Sequence, residues 1–71
     1  MKYAQIALDI GVFGTFTYTI PEPLRKDVQP GSLVAVPFGR NNRTARGFCV
    51  KITKKPVKSM KSVKKTIYPN N

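Results

Sequence analysis

Three aromatic residues, one glycine and a run of cations are the residues of this 71-residue chain whose chemistry could serve a ligand. Phe16 and Tyr18 alternate within Thr15-Phe-Thr-Tyr-Thr-Ile-Pro21, and Phe38 and Gly39 close Ser32-Leu-Val-Ala-Val-Pro-Phe-Gly39. Bases of a single-stranded nucleic acid stack on exposed aromatics while neighbouring cations follow the phosphates, each stacked base contributing about 1–3 kcal/mol. Aromatics at a period of two fit a strand core equally well, so the pattern leaves both roles open. Gly39 either turns the chain at positive φ or admits a sugar close to the main chain; one glycine can do both. Arg40, Arg43 and Arg46 surround one predicted hairpin tip and suit a phosphate clamp. Lys51, Lys54, Lys55, Lys58, Lys61, Lys64 and Lys65 are flexible point charges, suited to phosphates rather than base edges.

The charge is one-sided. Asp9, Glu22 and Asp27 are the only acids and precede residue 28, whereas ten of the thirteen Lys and Arg residues fall between Arg40 and Lys65; the net charge is +10. Such a field attracts polyanions, with nucleic acid the first choice. A membrane surface fits less well, because the basic stretch lacks the apolar face of an interfacial helix. A solvated face that only confers solubility is the plainer alternative.

Several classes are disfavoured. The chain has no histidine, and its three acids are scattered over different predicted elements. Ser32, Ser59 and Ser62 lack a base partner, and no glycine-rich phosphate loop precedes a helix. The expectation is a non-enzyme with no cofactor and no metal. Cys49 is single, which rules out an internal disulfide, and reads as a buried strand residue. Neither a signal peptide nor a membrane-length apolar run is visible, so a cytoplasmic location is expected.

The elements that must position these residues are strands. Ala4, Ile6, Leu8 and Ile10 alternate with Gln5, Ala7 and Asp9, which predicts a half-buried strand. A turn follows over 11–14, around Val12 and Phe13, and a second strand carries Phe16, Tyr18 and Ile20 on one face until Pro21 and Pro23 stop it. Residues 24–29 could form a helical turn, closed by Pro30-Gly31. Leu33 to Val36 is a third strand, Arg40-Asn41-Asn42-Arg43 a hairpin tip, and 44–54 a long strand with Arg46, Phe48, Val50 and Ile52 on one face. Gly47 within it indicates a bulge or a close backbone approach. Lys54 to Lys61 reads as a mobile basic loop and Thr66 to Tyr68 as a last strand. The predicted fold is all-β: a small antiparallel β-barrel of about five to six short strands with basic loops, one domain over 1–68 with a tail at 69–71. About 60% of the unfolded surface can be buried at this size, so the core is modest.

Four segments in order, Phe16-Thr-Tyr-Thr-Ile-Pro21, Val28-Gln-Pro-Gly-Ser-Leu-Val-Ala-Val-Pro-Phe-Gly39, Arg46-Gly-Phe-Cys-Val50 and Met60-Lys-Ser-Val63, together with the opening Ala4-Gln-Ile-Ala-Leu8, resemble a known family. It is the N-terminal, 3′-end DNA-binding domain of primosomal protein N′ (PriA), the replication-restart helicase. The resemblance covers nearly the whole chain. It implies a module that binds the 3′ end of the nascent leading strand at a stalled fork and directs the restart of replication. Phe16 would then form an apolar wall of a pocket for the terminal nucleotide, with little discrimination between bases. Thr17 would face the 3′-hydroxyl, Gly39 would admit the nucleotide, and Lys61 would add a cation, with Arg40, Arg43 and Arg46 as supporting phosphate contacts. Implied partners are DNA and, beyond it, the remaining helicase domains or other primosome proteins.

Thr17 departs from the family pattern, which usually has aspartate there. A threonine hydroxyl accepts a hydrogen bond without charge, and charge-assisted bonds are roughly twice as strong, so weaker discrimination of the 3′ end is expected. The helicase's nucleotide-binding and zinc motifs are missing from these 71 residues, so unwinding is not expected of them. Two other readings stay open: a basic, ribosomal-protein-like barrel binding structured RNA, and a protein-docking module using a strand edge or the Phe38 hairpin.

Overall fold

The computed structural model of the chain describes residues 2–10, 14–54 and 61–69. Six strands follow in chain order: β1 (Tyr3–Leu8), β2 (Phe16–Thr19), β3 (Leu33–Phe38), β4 (Arg43–Thr53), β5 (Lys61–Ser62) and β6 (Lys65–Tyr68). They form one sheet in the order β5-β2-β1-β4-β3-β6. Its two edge strands are consecutive in the chain, and the sheet curls until they meet. The Val63 N–H donates to the Thr19 carbonyl at 3.0 Å, and the next N–H, of Lys64, donates to the Ala35 carbonyl at 2.8 Å. Residues 61–68 thus bond to β2 on one side and β3 on the other. The expected small barrel is present.

One expectation about that barrel needs correcting. β5 pairs with β2 in parallel, Tyr18 opposite Lys61 and Thr19 opposite Ser62, whereas the other strand pairs are antiparallel. Counting β5 and β6 as one continuous stretch, the ring has five members. Alternating directions cannot close an odd ring, so one parallel pair is unavoidable. Lys61 therefore belongs to a strand rather than to the predicted basic loop. The rest of that loop, 55–60, lies outside the described residues, as does the predicted turn around Val12 and Phe13.

Alternation places the core. Ala4, Ile6 and Leu8 point inward from β1, Tyr18 from β2, Val34 and Val36 from β3, and Ala45 and Cys49 from β4, with Ile20, Val28 and Val63 completing the cluster. Cys49 is buried and unpaired, as expected, and burial pushes its thiol pKa up. Ile10, in contrast, is 40% exposed: β1 ends at Leu8 and carries it past the barrel rim.

On β4 the shared face of Arg46, Phe48 and Val50 is real, but it points outward, leaving Phe48 and Val50 53% and 54% exposed. Ile52 does not share it; it packs against the core. The cause is a register shift: Gln5 pairs with Lys51 but Ile6 with Cys49, so β4 carries one extra residue there. An odd insertion inverts the inward-outward pattern beyond it. Gly47 meets the expected close approach: a Cβ there would come 2.5 Å from Ile6 Cγ2 and 2.7 Å from the Ala7 carbonyl oxygen.

The predicted helical turn starts earlier than its apolar residues indicate. A 3-10 turn covers Glu22–Leu24, with Pro23 in its first turn, where a missing N–H costs nothing. Leu24 then packs on the core. The Pro30-Gly31 turn is closed by Ser32 N–H to the Gln29 carbonyl at 2.9 Å, with Gly31 at φ 97°, the geometry of a type II turn. The fully buried Ser32 hydroxyl donates to the Asp27 carbonyl at 2.7 Å and accepts from the Gln29 N–H at 2.9 Å. These bonds fasten the long link between β2 and β3.

Candidate nucleic-acid interface

The start of β2, the end of β3 and Lys61 of β5 surround a cavity of about 220 Å³. Its lining is Phe16, Thr17, Tyr18, Pro37, Phe38, Gly39 and Lys61. The four residues expected at a terminal pocket, Phe16, Thr17, Gly39 and Lys61, are all among them. They come from three elements spread over 46 positions of sequence, from 16 to 61.

Each is placed by local physics. Phe16 and Phe38 meet edge to face, ring centroids 5.1 Å apart at 73°, an arrangement favoured by the ring quadrupoles. Both rings are half-buried, packed against the core on one side and open to the cavity on the other. Pro37 precedes Phe38 inside β3, so the proline does not end this strand, contrary to expectation. Gly39 follows at φ 82° and opens the 39–42 turn, closed by Asn42 N–H to the Gly39 carbonyl at 3.2 Å. Asn42 sits at φ 50°, the left-handed region that asparagine tolerates, so the expected hairpin tip is present one residue earlier than 40–43, with Arg43 already in β4 opposite Phe38. A Cβ at residue 39 would project into open space, with no atom within 4 Å. The backbone is therefore bare on that side.

Lys61 reaches the cavity because β5 registers it opposite Tyr18. Its Nζ donates to the Gly39 carbonyl at 3.0 Å. One of three ammonium donors is used, which tethers the charge at the rim and leaves two for a ligand. Thr17 sits between the two core-directed aromatics of β2 and is a neutral residue of the cavity lining.

Tyr18 is a correction to the idea of three stacking platforms. Its ring is only 4% exposed, and its hydroxyl donates to the Pro37 carbonyl at 2.9 Å across the barrel. Burial raises its pKa. It is a strut joining β2 to β3 rather than a stacking surface.

Arg40, Arg43 and Arg46 are not in this cavity. They line a neighbouring one of about 560 Å³ with Asp9, Ile10, Asn41, Thr44, Ala45 and the same Phe38 and Gly39. Arg46 and Asp9 approach to 4.0 Å with both side chains well exposed, a contact of little energetic weight. Sequence reasoning missed Asp9 and Ile10 as lining residues because the alternation of β1 assigned them to strand faces. Lys64 does not line the smaller cavity; its Nζ donates to Oγ1 of Thr44, a lining residue of the larger one, at 2.7 Å.

No helix among the described residues is long and apolar enough to cross a membrane. Among curated proteins, none matches the chain significantly. A family model does: the 3′ DNA-binding domain (3′BD) of PriA matches residues 5–70. That span takes in β1 except its first two residues, all the other strands, and every lining residue of both cavities. The chain belongs to the family of PriA 3′ DNA-binding domains.

Proposed function

We propose that this chain holds the 3′ end of a nascent leading strand at a stalled replication fork, with the terminal nucleotide in the cavity between Phe16 and Lys61. The observation that carries the reading is the convergence of Phe16, Thr17, Gly39 and Lys61 on one cavity within a family-matched fold. In this role the Phe16 ring packs on the terminal nucleotide, an apolar contact that any base or sugar can make. The bare backbone at Gly39 lets the sugar come close. The Thr17 hydroxyl accepts from the 3′-hydroxyl, and the tethered Lys61 ammonium faces the last phosphate. Nothing in this arrangement moves a proton or breaks a bond; it is a binding site. The role directs replication restart and implies a cytoplasmic protein, with the helicase domains or other primosome proteins as further partners.

A fork with a leading-strand 3′-hydroxyl at its branch, compared with the same fork lacking the leading strand, tests this in an electrophoretic shift titration. Tighter binding to the first is expected. Equal affinities would contradict the proposal.

A further inference from the structure

The larger cavity lies against the smaller one, and the two share Phe38 and Gly39. Its apolar surface comes from Phe38, Ile10 and Ala45, and its rim carries Arg40, Arg43 and Arg46 against the single acid Asp9. About 560 Å³ falls within the roughly 300–1,000 Å³ typical of ligand clefts. Ile10 is an exposed isoleucine set in a cationic rim, a pairing that a purely solvated basic face would not need. We propose that this cavity takes the penultimate nucleotide of the strand whose end occupies the smaller cavity, and the inference rests on that terminal-pocket reading.

The orientation follows from charge. Asp9 is the one acid of the lining and lies nearest Arg46, so the lining cations without an acid beside them are Arg40 and Arg43. A phosphate is drawn to that side, toward the hairpin tip, and repelled from Asp9. The base is left to the Ile10 and Phe38 side. Between the two cavities the strand passes Gly39, where no Cβ obstructs it. The strand thus arrives over the hairpin tip and ends at Lys61, which makes the recognised unit a dinucleotide rather than one terminal residue.

The test uses 5′-labelled single strands with a free 3′-hydroxyl, carrying a tetrahydrofuran abasic unit at the penultimate position or, as control, at the sixth position from the end. Matched strands with a 3′ hairpin cap report end preference in the same titrations. The penultimate lesion is expected to weaken binding by roughly fivefold or more, the lower end of a lost base contact; the control lesion should have little effect. Ile10→Ser should bind the intact strand more weakly and no longer distinguish it from the penultimate lesion, while still preferring a free end over a capped one. Arg43→Gln should weaken both strands alike and reduce the salt slope. Because Ile10 and Arg43 are exposed, circular dichroism of both variants should match the parent. A penultimate lesion that binds like the intact strand, with end preference retained, overturns the second subsite alone. Loss of end preference in the parent chain overturns the terminal pocket and this inference with it.

Discussion

Lys61 and Thr17 line the same cavity, one a tethered charge and the other a neutral residue. Lys61→Ala removes the ammonium bound to the Gly39 carbonyl. If it faces a phosphate, affinity for single strands falls and the salt slope of log K flattens by about 0.7, the value for one phosphate on a single strand. Salt titrations of parent and variant check this; an unchanged slope would remove Lys61 from the interface. Thr17→Asp lowers the net charge from +10 to +9 and so weakens general attraction. It also supplies a charged acceptor, and preference for a 3′-hydroxyl over a 3′-phosphate should rise, read as the ratio of the two dissociation constants. The parent chain, with its neutral threonine, should tolerate a 3′-phosphate better than the variant.

Phe16 and Gly39 were legible in the sequence because each sits in a short segment whose local pattern marks it as a strand or a turn; Thr17 was legible as a strand residue, and the family resemblance alone gave it a site role. Lys61 was not legible from pattern alone. Its position depends on a two-residue strand pairing with a partner some forty residues away, and only the family resemblance singled it out.

At the scale of elements, two glimpses of non-local geometry matter most. The strands and the hairpin tip follow from alternation and turn chemistry, but the bulge opposite Gln5 and Ile6 leaves no trace in composition. This is why Ile52 reads as sharing a face with Phe48 and Val50 when it packs inward instead. Gly47, on the inner face of the same strand, leaves no room for a side chain. Gly47→Ala should force β1 and β4 apart and cost about 1–3 kcal/mol, the usual penalty of overpacking, measured as a lower urea midpoint.

The strut from Tyr18 to Pro37 offers a second check on the elements. Tyr18→Phe should cost about 1 kcal/mol, the net value of one such hydrogen bond. Burial raises the folded pKa values of both Tyr18 and Cys49 above their ordinary values of 10.0 and 9.0. The folded state keeps these protons where the unfolded chain has lost them, so the unfolded state binds fewer protons in that range. Stability should therefore be flat at neutral pH and fall as pH rises above about 9. Thermal unfolding from pH 7 to 10.5 checks the sign, and Cys49→Ala should blunt the early part of the fall.

Across the whole molecule, charge and closure act together. The ring of five members closes through residues 61–68, and the same closure carries Lys61 to the cavity formed by β2 and β3. The stretch that completes the barrel thus also completes the candidate site. Ten net positive charges then supply long-range attraction to any polyanion, which governs encounter more than selectivity. Selectivity for an end must come from the cavity, and the two contributions separate experimentally because the net charge acts alike on free and capped strands whereas the cavity acts only on a free end.

The most direct test is fluorescence anisotropy with 5′-labelled single strands of one sequence, one ending in a free 3′-hydroxyl and the other closed by a 3′ hairpin cap, at two salt concentrations. Tighter binding to the free end, with the preference persisting as added salt weakens both, is the predicted result. Equal binding to the two strands at both salt concentrations would contradict end recognition and leave a general polyanion-binding barrel.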